Sequence, residues 1–172
     1  MGIWWSRLAK RLAILRRVGN PADAFLLLHM LVFATAVPLL LRLKLSRLQP
    51  LLEPKALPST PEPARVQKIV SLVDAVLQTG KPLVRPGCLT RGVTLYYFLS
   101  RSGLEVTLCF GMGTVRDEFV GHCWLSRDGE PFLEETDPRP LFTEVHSFSK
   151  LRPPVQPGEQ RPAGRPRADA KP

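Results

Sequence analysis

The sequence predicts an α+β fold in which a helix bearing a cysteine packs on a small antiparallel sheet, with an N-terminal apolar helical region ahead of it. Three observations predict it. A Pro86-Gly87 break hands over to apolar residues at three-to-four spacing (Leu89, Val93, Tyr96, Tyr97, Leu99), and Gly103 stops that run. Residues 104–110 and 119–127 alternate in the strand manner, and Asp128-Gly129 after the second is a strong two-residue hairpin signal. Upstream of Gly80 the long apolar runs carry helical rather than strand punctuation.

In chain order, residues 3–18 combine Trp4, Trp5, Leu8, Leu12 and Leu15 with Arg7, Lys10, Arg11, Arg16 and Arg17, the pattern of a basic amphipathic helix suited to an anionic membrane surface or a partner. Asn20-Pro21 opens the next helix as N-cap and first residue. Residues 24–41 then run without a Lys, Arg, Asp or Glu, long enough to reach the lower limit of a spanning helix. His29, Thr35 and Pro38 within it, and cations at both ends, favour a helix that packs on the domain or lies at a membrane periphery. No small-residue cleavage site marks it as a signal peptide. Prolines 50, 54, 58, 61 and 63 predict an extended linker, and Pro63-Ala64-Arg65 starts a helix whose apolar face is Val66, Ile69, Val70, Val73, Val76 and Leu77, with Gly80 at its end. Residues 81–87 form an extended entry loop to Cys88. The expected division is therefore 1–47 basic and apolar helical region, 48–63 Pro-rich linker, 64–151 catalytic core and 152–172 disordered Pro/Arg-rich tail.

Composition narrows the function. The net charge is +9 and the pI near 10.1, but the basic residues cluster towards the two ends of the chain. Neither end interleaves aromatics with cations or carries a nucleic-acid motif, so no nucleic-acid role is expected. Three cysteines give no pairable framework and fit a reducing compartment, the cytoplasm. His122 and Cys123 point to opposite strand faces, and no Cys-x-x-Cys knuckle accompanies them, so neither a metal nor another cofactor is expected.

The chemistry concentrates in residues 86–138. Cys88 falls at a helix start, where free N–H groups and the positive dipole end favour a thiolate, the reactive form. His122 lies mid-strand on one face with Val120, Trp124 and Ser126. Counting back from a two-residue Asp128-Gly129 turn pairs Ser126 with Pro131, Trp124 with Leu133 and His122 with Glu135. A one-residue bulge puts Glu134 opposite His122 instead. Either carboxylate would orient the imidazole while it serves the thiol as base.

Cys88-Leu89-Thr90-Arg91, the helix end Arg101-Ser102-Gly103-Leu104, the Gly-His-Cys-Trp-Leu strand from Gly121 and the Asp-Gly-Glu-Pro turn from Asp128 together resemble the transglutaminase-like core of lasso-peptide biosynthesis B proteins. The resemblance covers roughly residues 20–150. It implies a cysteine leader peptidase of a ribosomal-peptide pathway, with Cys88 as nucleophile, His122 as base and Glu134, a dozen residues later, as orienting acid. The family more often has Asp at that third position and Ala after the histidine, where this chain has Glu134 and Cys123; Asp137-Pro138 is similar to the strand-end Asp of other transglutaminase-like enzymes. As the stand-alone peptidase half of a split B protein, with no room for leader recognition, the chain would act on a precursor peptide. A separate leader-binding protein and an asparagine-synthetase-like cyclase would accompany it, any ATP use falling to the cyclase. Acyl transfer to an amine and a non-catalytic membrane-peripheral adaptor are the other functions compatible with these residues.

Overall fold

The computed structural model describes residues 20–52, 61–80 and 82–149; the basic helix expected over 3–18, the middle of the expected linker and the expected tail lie outside them. Four helices lead: α1 (Pro21–Leu40), α2 (Leu45–Leu52), α3 (Pro63–Thr79) and α4 (Cys88–Arg101). Four strands follow, β1 (Thr107–Val115), β2 (Glu118–Arg127), β3 (Glu130–Phe132) and β4 (Thr143–Phe148), in one antiparallel sheet of order β3-β2-β1-β4.

Local chemistry sets the helix ends. The Asn20 side chain accepts from the Asp23 N–H at 2.9 Å, and Pro21 occupies the first turn of α1. α4 begins at Cys88, directly after Gly87, so the thiol sits on its first residue. At the other end Gly103 adopts a left-handed φ of 96°, and the N–H groups of Gly103 and Leu104 donate to the Ser100 and Leu99 carbonyls, closing a Schellman cap. α4 packs on β1 and β2, and α1 and α3 pack on α4, around a core that includes Leu72, Val73, Leu95, Leu99, Leu108 and Leu125, each worth about 1.5–3 kcal/mol of burial.

Two expectations change. The chain from Leu48 is helical as far as Leu52, despite Pro50, because Leu48 and Leu52 are buried and the Arg101 guanidinium donates to the Leu51 and Leu52 carbonyls at the helix end. The first strand, expected over 104–110 and so to stop short of Gly111-Met112-Gly113, runs through that triplet to Val115 as β1. Added Cβ atoms would meet the Trp124 ring at Gly111 (2.7 Å) and the Leu141 carbonyl at Gly113, so both glycines let neighbouring groups lie close on the strand.

Candidate active site

α4 presents Cys88 and, one turn on, Gly92 along one edge. A Cβ at Gly92 would stand 2.7 Å from the Cys123 sulfur, so α4 rests closely on the Cys123 face of β2. Cys88 is the one partly exposed cysteine of the three; Cys109 and Cys123 are buried. Burial pushes the Cys123 thiol well above its ordinary range, and the nearby Cys88, Cys109 and Glu134 charges push it further. Cys88 and Glu134 therefore both lie within electrostatic reach of the same point on β2.

His122 is flanked by the rings of Trp124 and Phe142, with centroids 5.9 and 5.0 Å away. Its Nε2 lies 3.5 Å from Glu134 Oε2, long for a hydrogen bond and within ion-pair distance. The other carboxylate oxygen, Oε1, lies 3.6 Å from a terminal nitrogen of Arg91, on the first turn of α4. Arg91 also donates from Nε to Asp74 of α3 at 3.0 Å and from a terminal nitrogen to the Leu133 carbonyl at 3.2 Å. A chain of contacts thus runs from β2 through Glu134 to the helix that carries Cys88.

Glu134 reaches His122 by a backbone kink. The Asp128-Gly129 turn forms with φ of 53° and 88°, and Ser126 pairs with Pro131 as counted. Pairing then stops at Leu125–Phe132, and Leu133 takes a left-handed φ of 62°, so the expected Trp124–Leu133 and His122–Glu135 pairs do not form. Glu135 is exposed. Asp137 is bonded to Arg139 at 2.6–2.9 Å, and that hydrogen-bonded guanidinium holds its carboxyl below the usual range. Of the three candidate acids, the structure brings Glu134 to the imidazole.

A cavity of about 560 Å³ opens here, lined among others by Asp74, Arg91, His122, Glu134, Leu141 and Phe142. With Nε2 turned to the carboxylate, Nδ1 is the ring nitrogen left to take a proton from another group. Arg91 stands in the Cys88-Leu89-Thr90-Arg91 motif, but the sequence assigned no role to it, to Asp74 or to Phe142. Asp74, an acid in the apolar half of α3, was the available signal for an internal cation partner; nothing in the sequence marks Phe142 or the kink at Leu133.

A partly exposed thiol on the first residue of a helix packed on an antiparallel sheet, with a histidine of that sheet beside a carboxylate, makes a cysteine-bearing α+β architecture. The model of the transglutaminase-like superfamily matches residues 27–147, most of the chain, and the protein belongs to that superfamily. The matched region runs from within α1 into β4 and includes Cys88, His122 and Glu134. The superfamily holds cysteine peptidases and acyltransferases, and its fold is typically that of a cysteine-type enzyme. No curated protein and no solved structure matches the chain.

Proposed function

We propose that the protein is a cysteine peptidase that removes the leader from a ribosomally made precursor peptide during lasso-peptide maturation. The observation that carries this reading is the His122–Glu134 pair at 3.5 Å, facing a cavity beside the first turn of α4. Cys88 gives its proton to His122, and the thiolate attacks the scissile carbonyl carbon. The C–N bond breaks as His122 returns the proton to the leaving amine. Water, deprotonated by the same imidazole, then hydrolyses the thioester and frees the thiol. Glu134 holds the ring in the tautomer these transfers need. A separate leader-binding protein presents the precursor, and an asparagine-synthetase-like cyclase closes the product. Three cysteines outside any disulfide fit a cytoplasmic location.

Incubation with a precursor and its leader-binding protein, read by mass spectrometry, tests the proposal. The wild type should release an intact leader and core, and Cys88→Ala should release neither. Full cleavage by Cys88→Ala overturns it.

A further inference from the structure

α1 is long and apolar enough to cross a membrane by length and composition, yet the fold holds it by one side. Met30, Ala34 and Val37 are fully buried, Asp23 pairs with Lys68 of α3 at 2.7 Å, and His29 and Phe33 set their rings against Phe98 and Tyr97 of α4, with centroids 5.0 and 4.0 Å apart. A helix crossing a bilayer would have to give up all of these contacts. The other side is bare. Phe25, Leu28, Val32 and Leu39 are 72, 57, 60 and 64% exposed. With Thr35 they recur at steps of three and four, a stripe about 21 Å long at 1.5 Å per residue. Thr35 donates its hydroxyl to the Leu31 carbonyl, so the stripe's one polar residue is already satisfied within the helix. An exposed apolar stripe of this length on a packed domain marks a docking surface.

Charge identifies what docks. Residues 1–52 hold eight cations (Arg7, Lys10, Arg11, Arg16, Arg17, Arg42, Lys44, Arg47) and one acid, Asp23, a net +7 out of the chain's +9. Asp23 is already paired, and Arg42, Lys44 and Arg47 are exposed just beyond α1. An apolar stripe bracketed in sequence by unopposed cations matches a bilayer surface, where acyl chains receive the stripe and anionic headgroups the cations. We propose that α1 docks in the plane of an anionic phospholipid bilayer, along the stripe Phe25–Leu28–Val32–Leu39, while its opposite side stays packed on α3 and α4.

Co-sedimentation of the full chain with vesicles tests this. The protein should pellet with phosphatidylcholine–phosphatidylglycerol vesicles, stay in solution with phosphatidylcholine alone, and be released by high salt or alkaline carbonate. Phe25→Asp with Val32→Asp should abolish pelleting. Because that pair could disturb the fold, the exposed triple Arg42→Gln, Lys44→Gln, Arg47→Gln is the second probe, and each cation removed should weaken binding about fivefold. Absence of pelleting with anionic vesicles overturns the proposal, and so does retention through carbonate, which means a spanning helix. Light scattering that shows a vesicle-free dimer, dissociated by the stripe variant, overturns it in favour of a second copy on the stripe. Unchanged binding by both variants also overturns it.

Discussion

Glu134 meets His122 because Leu133, a residue with a Cβ and a branched side chain, adopts a left-handed φ of 62°. Such a conformation costs of order 1–3 kcal/mol and persists only where neighbours hold it. Arg91 is the neighbour that does so, bonding the Leu133 carbonyl and facing the Glu134 carboxylate. A left-handed leucine has no sequence signature, which is why strand counting alone led to Glu135. Asp137, offered by its likeness to the strand-end Asp of other transglutaminase-like enzymes, is occupied by Arg139, two residues on. From this geometry, Glu134→Gln should slow precursor cleavage roughly 10²-fold, less than the loss in Cys88→Ala, because a neutral imidazole still accepts a proton without its orienting acid. Glu135→Gln and Asp137→Asn should stay within about threefold of wild type, a change too small to mark a group that assists proton transfer. A crippled Asp137→Asn beside a silent Glu134→Gln, measured in the same assay, would reassign the acid.

The starts of α1, α3 and α4, the α4 stop and the Asp128-Gly129 hairpin were legible because each rests on Pro, Gly, Asn or Asp chemistry. The β1–β2 hairpin was not. It turns on Arg116 and Asp117, with φ of 51° and 65°, and non-glycine residues in that region seldom announce a turn. Gly111 and Gly113 misled for the opposite reason: glycine in a strand reads as a break, and here it gives room to Trp124 and to the segment bearing Leu141. Gly92 has a comparable role within α4. Alanine in a helix interior is ordinarily favoured over glycine by up to about 1 kcal/mol, but at 92 its Cβ would collide with Cys123. Gly92→Ala should therefore destabilise the fold by about 1–3 kcal/mol in denaturant unfolding and lower activity by shifting α4 on β2. Adding Cys123→Ala removes the sulfur and should recover much of both losses; a double variant no better than the sum of the two singles would show that α4 and β2 do not meet through this contact.

At the scale of the molecule, α4 packs on the sheet with α1 and α3 packed against it, and the turn after β3 sets Glu134 between His122 of β2 and Arg91 in the first turn of α4. Short-range signals placed Cys88 at a helix start and His122 on a strand, whereas Glu134 lies past β3, beyond the kink at Leu133. How α1 sits was not readable, because hydropathy alone cannot tell a buried face from a bare one, and the Asp23–Lys68 pair that anchors it joins residues 45 apart. The central claim is that Cys88 and His122 form one chemical unit. The most direct measurement of it is iodoacetamide alkylation at neutral pH, localised by peptide mass spectrometry, in the wild type and in His122→Ala. Label should fall on Cys88 and spare Cys109 and buried Cys123, whose thiol burial keeps protonated. His122→Ala should slow labelling of Cys88 by about tenfold or more, because the thiolate loses its proton acceptor. Equal rates in the two proteins, or faster labelling of Cys109 or Cys123 than of Cys88, would contradict it.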